Sequence, residues 1–268
     1  MTFITAAGHR LETKWIGPRD GAGPVLVFLH EGLGSIALWR DFPDRIAEMT
    51  GCAALVYSRH GYGRSDPLTE SRPLRYLHHE ALDVLPAVLD ACGVTDPILI
   101  GHSDGASIAL LAAGGGRTPV RGAVVMAPHV FVEDVTIAGI EKARDAWAEG
   151  GLSRALARYH DDPGGAFKGW NEAWLAPEFR AWNIEEYLPG IRCPLLAIQG
   201  VDDEYATLAQ IDAIERQVSC YFERQDLAGC RHTPWRDQPD QVAGAIARFV
   251  DRLQSPAAGF ARPNKTYG

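Results

Sequence analysis

Ile98-Leu99-Ile100-Gly101-His102-Ser103-Asp104-Gly105-Ala106 is the stretch that decides how this 268-residue chain reads. Three β-formers run into a Gly-x-Ser-x-Gly pentapeptide, and a small, apolar stretch follows from Ser107 to Ala113. The pattern is strand, tight turn, helix. A serine forced into such a turn has its hydroxyl pushed out of the backbone, and Gly101 and Gly105 leave room where a Cβ would collide with a neighbouring strand or helix. The new helix directs its free N–H groups and its dipole towards any charge that develops beside the serine. A serine that merely caps a helix would occupy the same place, so the pentapeptide alone does not decide between the two roles.

Working outward, strand and helix signals alternate. Pro24–Leu29 is a continuous apolar run, as expected of a strand buried on both faces. Leu11–Trp15, Ala53–Tyr57, Pro97–Ile100, Gly122–Ala127, Cys193–Gly200 and Cys220–Arg224 read as further strands. Leu38–Thr50, Leu77–Cys92 (despite Pro86), Thr207–Val218 and Pro239–Leu253 read as helices. Alternation of this kind implies a mostly parallel sheet with helices on both faces. The rhythm breaks over 131–187, which has no buried-strand run. Helical segments are expected there at Val135–Glu149 and Leu152–His160, then a loop at Asp161–Gly165. The expected organisation is a core of 1–130 and 188–254, a helical cap of 131–187, and a tail of 255–268 rich in Pro, Gly and Ala.

Composition narrows the classes. The chain is 46% hydrophobic and 22% charged, ordinary for a globular domain, with 26 basic and 34 acidic residues for a net charge of −8. That balance argues against nucleic acid or an anionic membrane as partner. The N-terminal residues lack a basic segment leading into an apolar one, and no run is long and apolar enough for a transmembrane helix. Five cysteines without a Cys-x-x-Cys pair point to reduced thiols and a cytoplasmic protein. Cys220, Cys230 and His232 lack the spacing of a zinc site, so no metal is expected. No cofactor is implied, and the sequence leaves the oligomeric state open.

A serine hydroxyl needs a base, and the base an orienting acid. In an open parallel sheet these come from loops at the carboxyl ends of strands. Two such loops follow later strands: Gly200-Val201-Asp202-Asp203 and Gly229-Cys230-Arg231-His232. With these, five stretches in order resemble the motifs of the α/β-hydrolase-fold superfamily, in its capped serine hydrolases, from about Pro24 to Leu253. They are His30-Glu31-Gly32 after Leu29, the glycine-rich loop Arg59–Ser65, the elbow at Ser103, the acid loop and the histidine loop. The resemblance implies an α/β-hydrolase fold with an inserted helical cap. It assigns Ser103 as nucleophile, His232 as general base and then acid, and Asp203 as the orienting acid, with Asp202 the rival. The oxyanion hole takes the N–H of Asp104 and one from the loop after His30, with Gly32 the first choice and Leu33 the second. Here the chain departs from the family, which has glycine where Glu31 stands. A carboxylate aimed at an oxyanion would oppose it, so Glu31 is expected to point away or to contact a polar part of the substrate.

His102 and His30 read as structural, and His60, His78, His79 and His160 as surface or loop residues. His129 follows a strand end and is a candidate substrate contact. The cap holds nine of the chain's 24 aromatic residues, a density suited to lining an apolar pocket as well as to docking a small lid. Trp170, Trp174, Glu31, Leu33 and Trp39 complete the substrate-binding candidates. Together these features suggest two-step acyl transfer on a small apolar or aryl substrate: an ester, thioester or lactone. The alternatives are C–C bond hydrolysis of ring-cleavage products, for which the full glycine-rich run after His30 is missing, and a non-catalytic small-molecule binder. Cofactor-free haloperoxidase-like chemistry uses the same residues. Epoxide hydrolysis and haloalkane dehalogenation are disfavoured, because those relatives carry a carboxylate where Ser103 stands.

Overall fold

Eight strands make one sheet: β1 (Thr2–Ala6), β2 (His9–Ile16), β3 (Val25–Leu29), β4 (Ala53–Tyr57), β5 (Pro97–His102), β6 (Gly122–Met126), β7 (Leu195–Gly200) and β8 (Phe222–Leu227). They lie in the order β1-β2-β4-β3-β5-β6-β7-β8. β1 and β2 pair antiparallel, as do β2 and β4, and every later pairing is parallel. The computed structural model describes residues 1–19 and 23–255. The tail expected at 255–268 lies, from residue 256 on, outside the described residues.

The helices are α1 (Phe42–Thr50), α2 (Tyr76–His79), α3 (Leu85–Cys92), α4 (Asp104–Gly115), α5 (Asp134–Ala148), α6 (Gly151–Leu156), α7 (Pro163–Leu175), α8 (Ala209–Gln217), α9 (Pro234–Asp237) and α10 (Pro239–Gln254). β5 is buried along its whole length, and Ile98, Leu99 and Ile100 are wholly shielded from solvent. Its alternate side chains feed two cores. Leu99 packs with α4, α8 and the helices at 76–92 on one face. Ile98 and Ile100 pack with α1 and α10 on the other. Burying one such side chain is worth about 1.5–3 kcal/mol, and the continuous apolar run follows from having helices on both faces.

Several elements differ from the sequence reading. β1 was not expected. The helix expected at Leu77–Cys92 includes a π-helical turn at Glu80–Val84. Pro86 has no N–H to offer Leu82, and that carbonyl instead accepts from Arg117 Nη1 at 3.3 Å. The stretch expected as a loop at Asp161–Gly165 opens α7: Asp162 caps it by accepting from the Gly165 N–H at 2.9 Å, and Pro163 takes the first position. β8 begins two residues later than expected and runs three further.

Between β6 and β7 the chain inserts α5, α6, α7 and two 3₁₀ turns (Pro177–Ala181 and Glu185–Gly190). Phe131 and Asn183 pair across the root of this insertion, and Ile184 N–H donates to Val130 O at 2.8 Å.

Candidate active site

Ser103 sits between β5 and α4 with φ +52°, a left-handed conformation that an L-residue adopts only when its surroundings require it. The glycines on either side explain how the turn closes. A Cβ on Gly101 would strike the Gly105 backbone, and one on Gly105 would strike the carbonyl of Leu29 in β3. The strained serine thus stands clear of the sheet.

His232 follows β8 and reaches this serine. Its Nε2 lies 3.0 Å from Ser103 Oγ. Its Nδ1 lies 2.9 Å from both carboxylate oxygens of Asp203. Asp203 is fixed in turn: Oδ1 accepts the N–H groups of Tyr205 and Ala206, and Oδ2 accepts from Gln199 Nε2 at 2.7 Å. Asp202 is exposed and makes none of these contacts. Burial works against a charged His232, but the charge of Asp203 and its hydrogen bond outweigh burial and hold the imidazole pKa above its ordinary 6.5. Burial likewise opposes ionised Asp203, yet His232 and the surrounding donors hold its carboxyl below the usual range. A serine, an imidazole and a carboxylate in this chain can move the serine proton onto nitrogen and stabilise the imidazolium that results.

Ser103 and His232 border a cavity of about 250 Å³, together with Glu31, Gly32, Leu33, Asp104, His129, Trp170 and Trp174, a little below the ~300–1,000 Å³ usual for ligand pockets. No other backbone or side-chain group among the described residues takes the N–H of Gly32, Leu33 or Asp104. The N–H of Asp104 is one of the orphan donors at the head of α4. The indole of Trp170 lies over Gly32 so closely that a Cβ there would strike it. His129 is 3% exposed, its Nδ1 has no partner, and burial beside His232 pushes its pKa down to about 3.

Trp39 is the one substrate-binding candidate that the fold takes elsewhere. It is 1% exposed and packs between Phe28, Phe42 and Trp235 on the opposite face of the sheet, behind His102 and outside the cavity. The turn at Ser35–Arg40 carries it there. His78 and His160, read as surface or loop residues, are buried. His160 accepts the Gly63 N–H at Nδ1 (3.0 Å) and donates from Nε2 to Leu33 O (3.0 Å), tying the insertion to two core loops.

The Glu31 side chain borders the same cavity as Ser103 and is held at His102. Its Oε2 lies 3.5 Å from His102 Nδ1. Burial raises its carboxyl pKa, but the contact with His102 outweighs this and leaves it below the ordinary value. His30 holds the loop: Nδ1 donates to Glu31 O at 2.7 Å and Nε2 accepts the Arg59 N–H at 3.0 Å.

Sequence reasoning missed a buried polar cluster beneath the serine. The Asp104 carboxylate accepts from Tyr76 Oη at 2.6 Å and from Trp174 Nε1 at 3.3 Å, and Arg59 Nη2 lies 3.8 Å from it. Arg59 is fully buried and also donates to the carbonyls of His30 and Glu31. Glu204 and Tyr205 were missed too. Glu204 accepts the His232 backbone N–H at 3.1 Å, and the Tyr205 ring lies 4.7 Å from the imidazole. Their position directly after Asp203 was the available signal. No group of metal ligands occurs among the described residues.

Comparison with known proteins agrees with this fold. A sequence model described as "Alpha/beta hydrolase family" matches residues 26–245. Among solved structures, a carboxylesterase of the thaumarchaeon Nitrososphaera gargenis superposes with a TM-score of 0.75 at 18% identity, covering 94% of this chain and 98% of its own. An enol-lactonase from Burkholderia xenovorans gives 0.74 at 18% identity, covering 93% and 99%. An epoxide hydrolase from hot-environment metagenomes gives 0.70 at 18%, covering 93% and 97%. At such identities the likeness is one of fold.

Proposed function

The chain belongs to the alpha/beta hydrolase family, and from that premise we propose that it is a serine hydrolase cleaving a carboxylic ester, thioester or lactone of a small, largely apolar acyl substrate. The observation that carries this reading is the unbroken hydrogen-bonded chain from Ser103 Oγ through His232 to Asp203, opening on a cavity. A serine at the elbow, where the resemblance to epoxide hydrolases would require a carboxylate, favours acyl transfer over epoxide opening.

In the proposed reaction, Ser103 Oγ attacks the substrate carbonyl while His232 Nε2 takes its proton. The negative oxygen of the tetrahedral intermediate is met by the N–H of Asp104 and by that of Gly32, with Leu33 the neighbouring donor. Collapse expels the leaving group, which takes the proton from His232 and leaves an acyl-enzyme. Water, deprotonated by His232, then attacks the acyl carbon; on collapse His232 returns that proton to Ser103 Oγ and the acid departs. Asp203 holds the imidazole tautomer throughout. The insertion acts as a cap, with Trp170 and Trp174 at the cavity keeping water from the acyl group. The substrate is a small molecule and no metal or cofactor takes part. Five free cysteines support a cytoplasmic location, and no described helix is long and apolar enough to cross a membrane.

The test is a panel of short-chain and aryl p-nitrophenyl esters with wild type and Ser103→Ala, together with labelling by a serine-directed phosphonate. Wild type cleaves members of the panel and is labelled at Ser103, and the variant does neither. A wild type that cleaves none and resists the phosphonate refutes the proposal.

A further inference from the structure

The acidic residues Glu31, Asp104 and Glu204 border the cavity, and no lysine or arginine does among the described residues. The Asp104 carboxylate is already partnered by Tyr76, Trp174 and Arg59. Glu204 is already paired with Arg231 and with the His232 N–H. Glu31 has no lysine or arginine partner among the described residues. Its close partner is His102 Nδ1, which also receives the indole N–H of Trp235 at 3.4 Å, while the other nitrogen of that ring donates to His232 O at 2.7 Å. Arg59, the buried cation behind this wall, is directed at the backbone carbonyls of His30 and Glu31 and at the Asp104 carboxylate, not at the Glu31 carboxylate.

His129 gives the cavity a second polar feature without adding a cation. It is 3% exposed, and its Nδ1 is buried without a protein partner. Burial and the neighbouring His232 keep it neutral. It can therefore exchange a hydrogen bond with a polar atom of a ligand, but it cannot balance a negative charge.

We propose that the Glu31 carboxylate sets the substrate class of this site, restricting it to short uncharged acyl groups and excluding those that carry a second carboxylate. This rests on the serine-hydrolase reading above. A cavity of about 250 Å³ is equivalent to a sphere roughly 8 Å across, so an anionic substituent on the acyl group stays within about one Debye length of Glu31. It gives up its hydration on entry and meets a like charge instead of a cation. An uncharged chain meets Leu33, Ile140, Trp170 and Trp174 without that cost.

The test compares two activated esters of matched shape: p-nitrophenyl hydrogen fumarate, and its uncharged isostere p-nitrophenyl (E)-4-methylpent-2-enoate. The trans double bond prevents the free carboxylate from attacking its own ester. kcat/KM is measured for both with wild type, Glu31→Gln and Glu31→Asp. Wild type prefers the uncharged ester. Glu31→Gln narrows that preference by about tenfold or more, through faster cleavage of the fumarate. Glu31→Asp, which keeps the charge, keeps the wild-type preference. The same preference in Glu31→Gln as in wild type overturns the proposal. So does equal cleavage of both esters by wild type, or cleavage of neither by an enzyme that turns over the simple ester panel. Failure on that panel together with resistance to the phosphonate refutes the hydrolase reading itself, so the two failures are distinguishable.

Discussion

Replacing Asp203 by asparagine isolates the charge of the orienting acid from its packing. The Asp203 side chain is wholly buried and that of His232 is 13% exposed. In Asp203→Asn the amide oxygen still accepts from Tyr205 and Ala206, as Oδ1 does now. The new amide N–H₂ faces Gln199, whose Oε1 is buried without a partner. A flip of the Gln199 amide lets that oxygen accept, so the loop keeps its bonds and the fold survives. The carboxylate charge does not. With charge centres roughly 4 Å apart and an effective dielectric of about 20, the imidazolium formed during attack loses about 4 kcal/mol of stabilisation. That corresponds to about a thousandfold in kcat. The amide also offers a donor to Nδ1, which places the imidazole hydrogen on Nε2, where it cannot accept from Ser103. The assay is cleavage of the best ester of the panel, with thermal melting alongside. A loss under about tenfold with an unchanged melting temperature refutes the role given to Asp203. Asp202→Asn, at an exposed position, is the control and stays within about twofold.

The remaining predictions concern protonation and packing. Because Asp203 holds the His232 pKa above 6.5, protonation disables the base on the acid side, and kcat/KM rises with pH through a midpoint above 6.5; a midpoint at or below that value contradicts the assignment. The same raised pKa makes the stabilisation from His232 fully present below its unfolded value and lost as pH climbs through the folded one, which melts at several pH values detect. His160→Ala leaves the buried Gly63 N–H without an acceptor and frees Leu33 O, costing about 1–3 kcal/mol in urea unfolding. Burial lowers the His160 pKa, so its own contribution is present above the unfolded value and lost as pH falls through the folded one; Ala at 160 removes that acid sensitivity. Gly105→Ala drives a methyl into the Leu29 carbonyl and costs about 1–3 kcal/mol or more, read as a lower melting temperature with loss of cleavage of the ester panel.

The legible part of this molecule is the part that backbone geometry dictates. Gly101-His102-Ser103-Asp104-Gly105 must be written nearly as it is for β5 to turn into α4 without collision, so the elbow is visible in the chain itself. Asp203 and His232 are visible for a related reason: loops after strands of a parallel sheet emerge at one edge, and these residues end two such loops. The facing of a side chain beyond a turn is not written locally. Trp39 lies six residues past Leu33, and the turn from Ser35 sends it under the sheet to Trp235. The cluster around Asp104 was hidden because its members, Arg59, Tyr76 and Trp174, are far apart in sequence and meet only through packing. Helix α7 was hidden because Gly164 and Gly165 weaken the helical pattern, whereas the Asp162 cap and Pro163 that start it act through hydrogen bonding and a fixed φ.

The bond from Trp174 to Asp104 bears on how such proteins can be recombined. The indole comes from the insertion, and the carboxylate it reaches belongs to the residue directly after Ser103. Trp174 Nε1 also donates to Tyr76 Oη at 2.9 Å, and that hydroxyl donates to the same carboxylate. A chimera that exchanges the segment between β6 and β7 for a relative's therefore does more than reshape the pocket. Unless the incoming segment places an N–H donor where Trp174 stands, it strips a donor from a buried anion one residue from Ser103. The boundary between a variable segment and a constant scaffold, drawn at Phe131 and Asn183 by the chain path, runs chemically through Asp104.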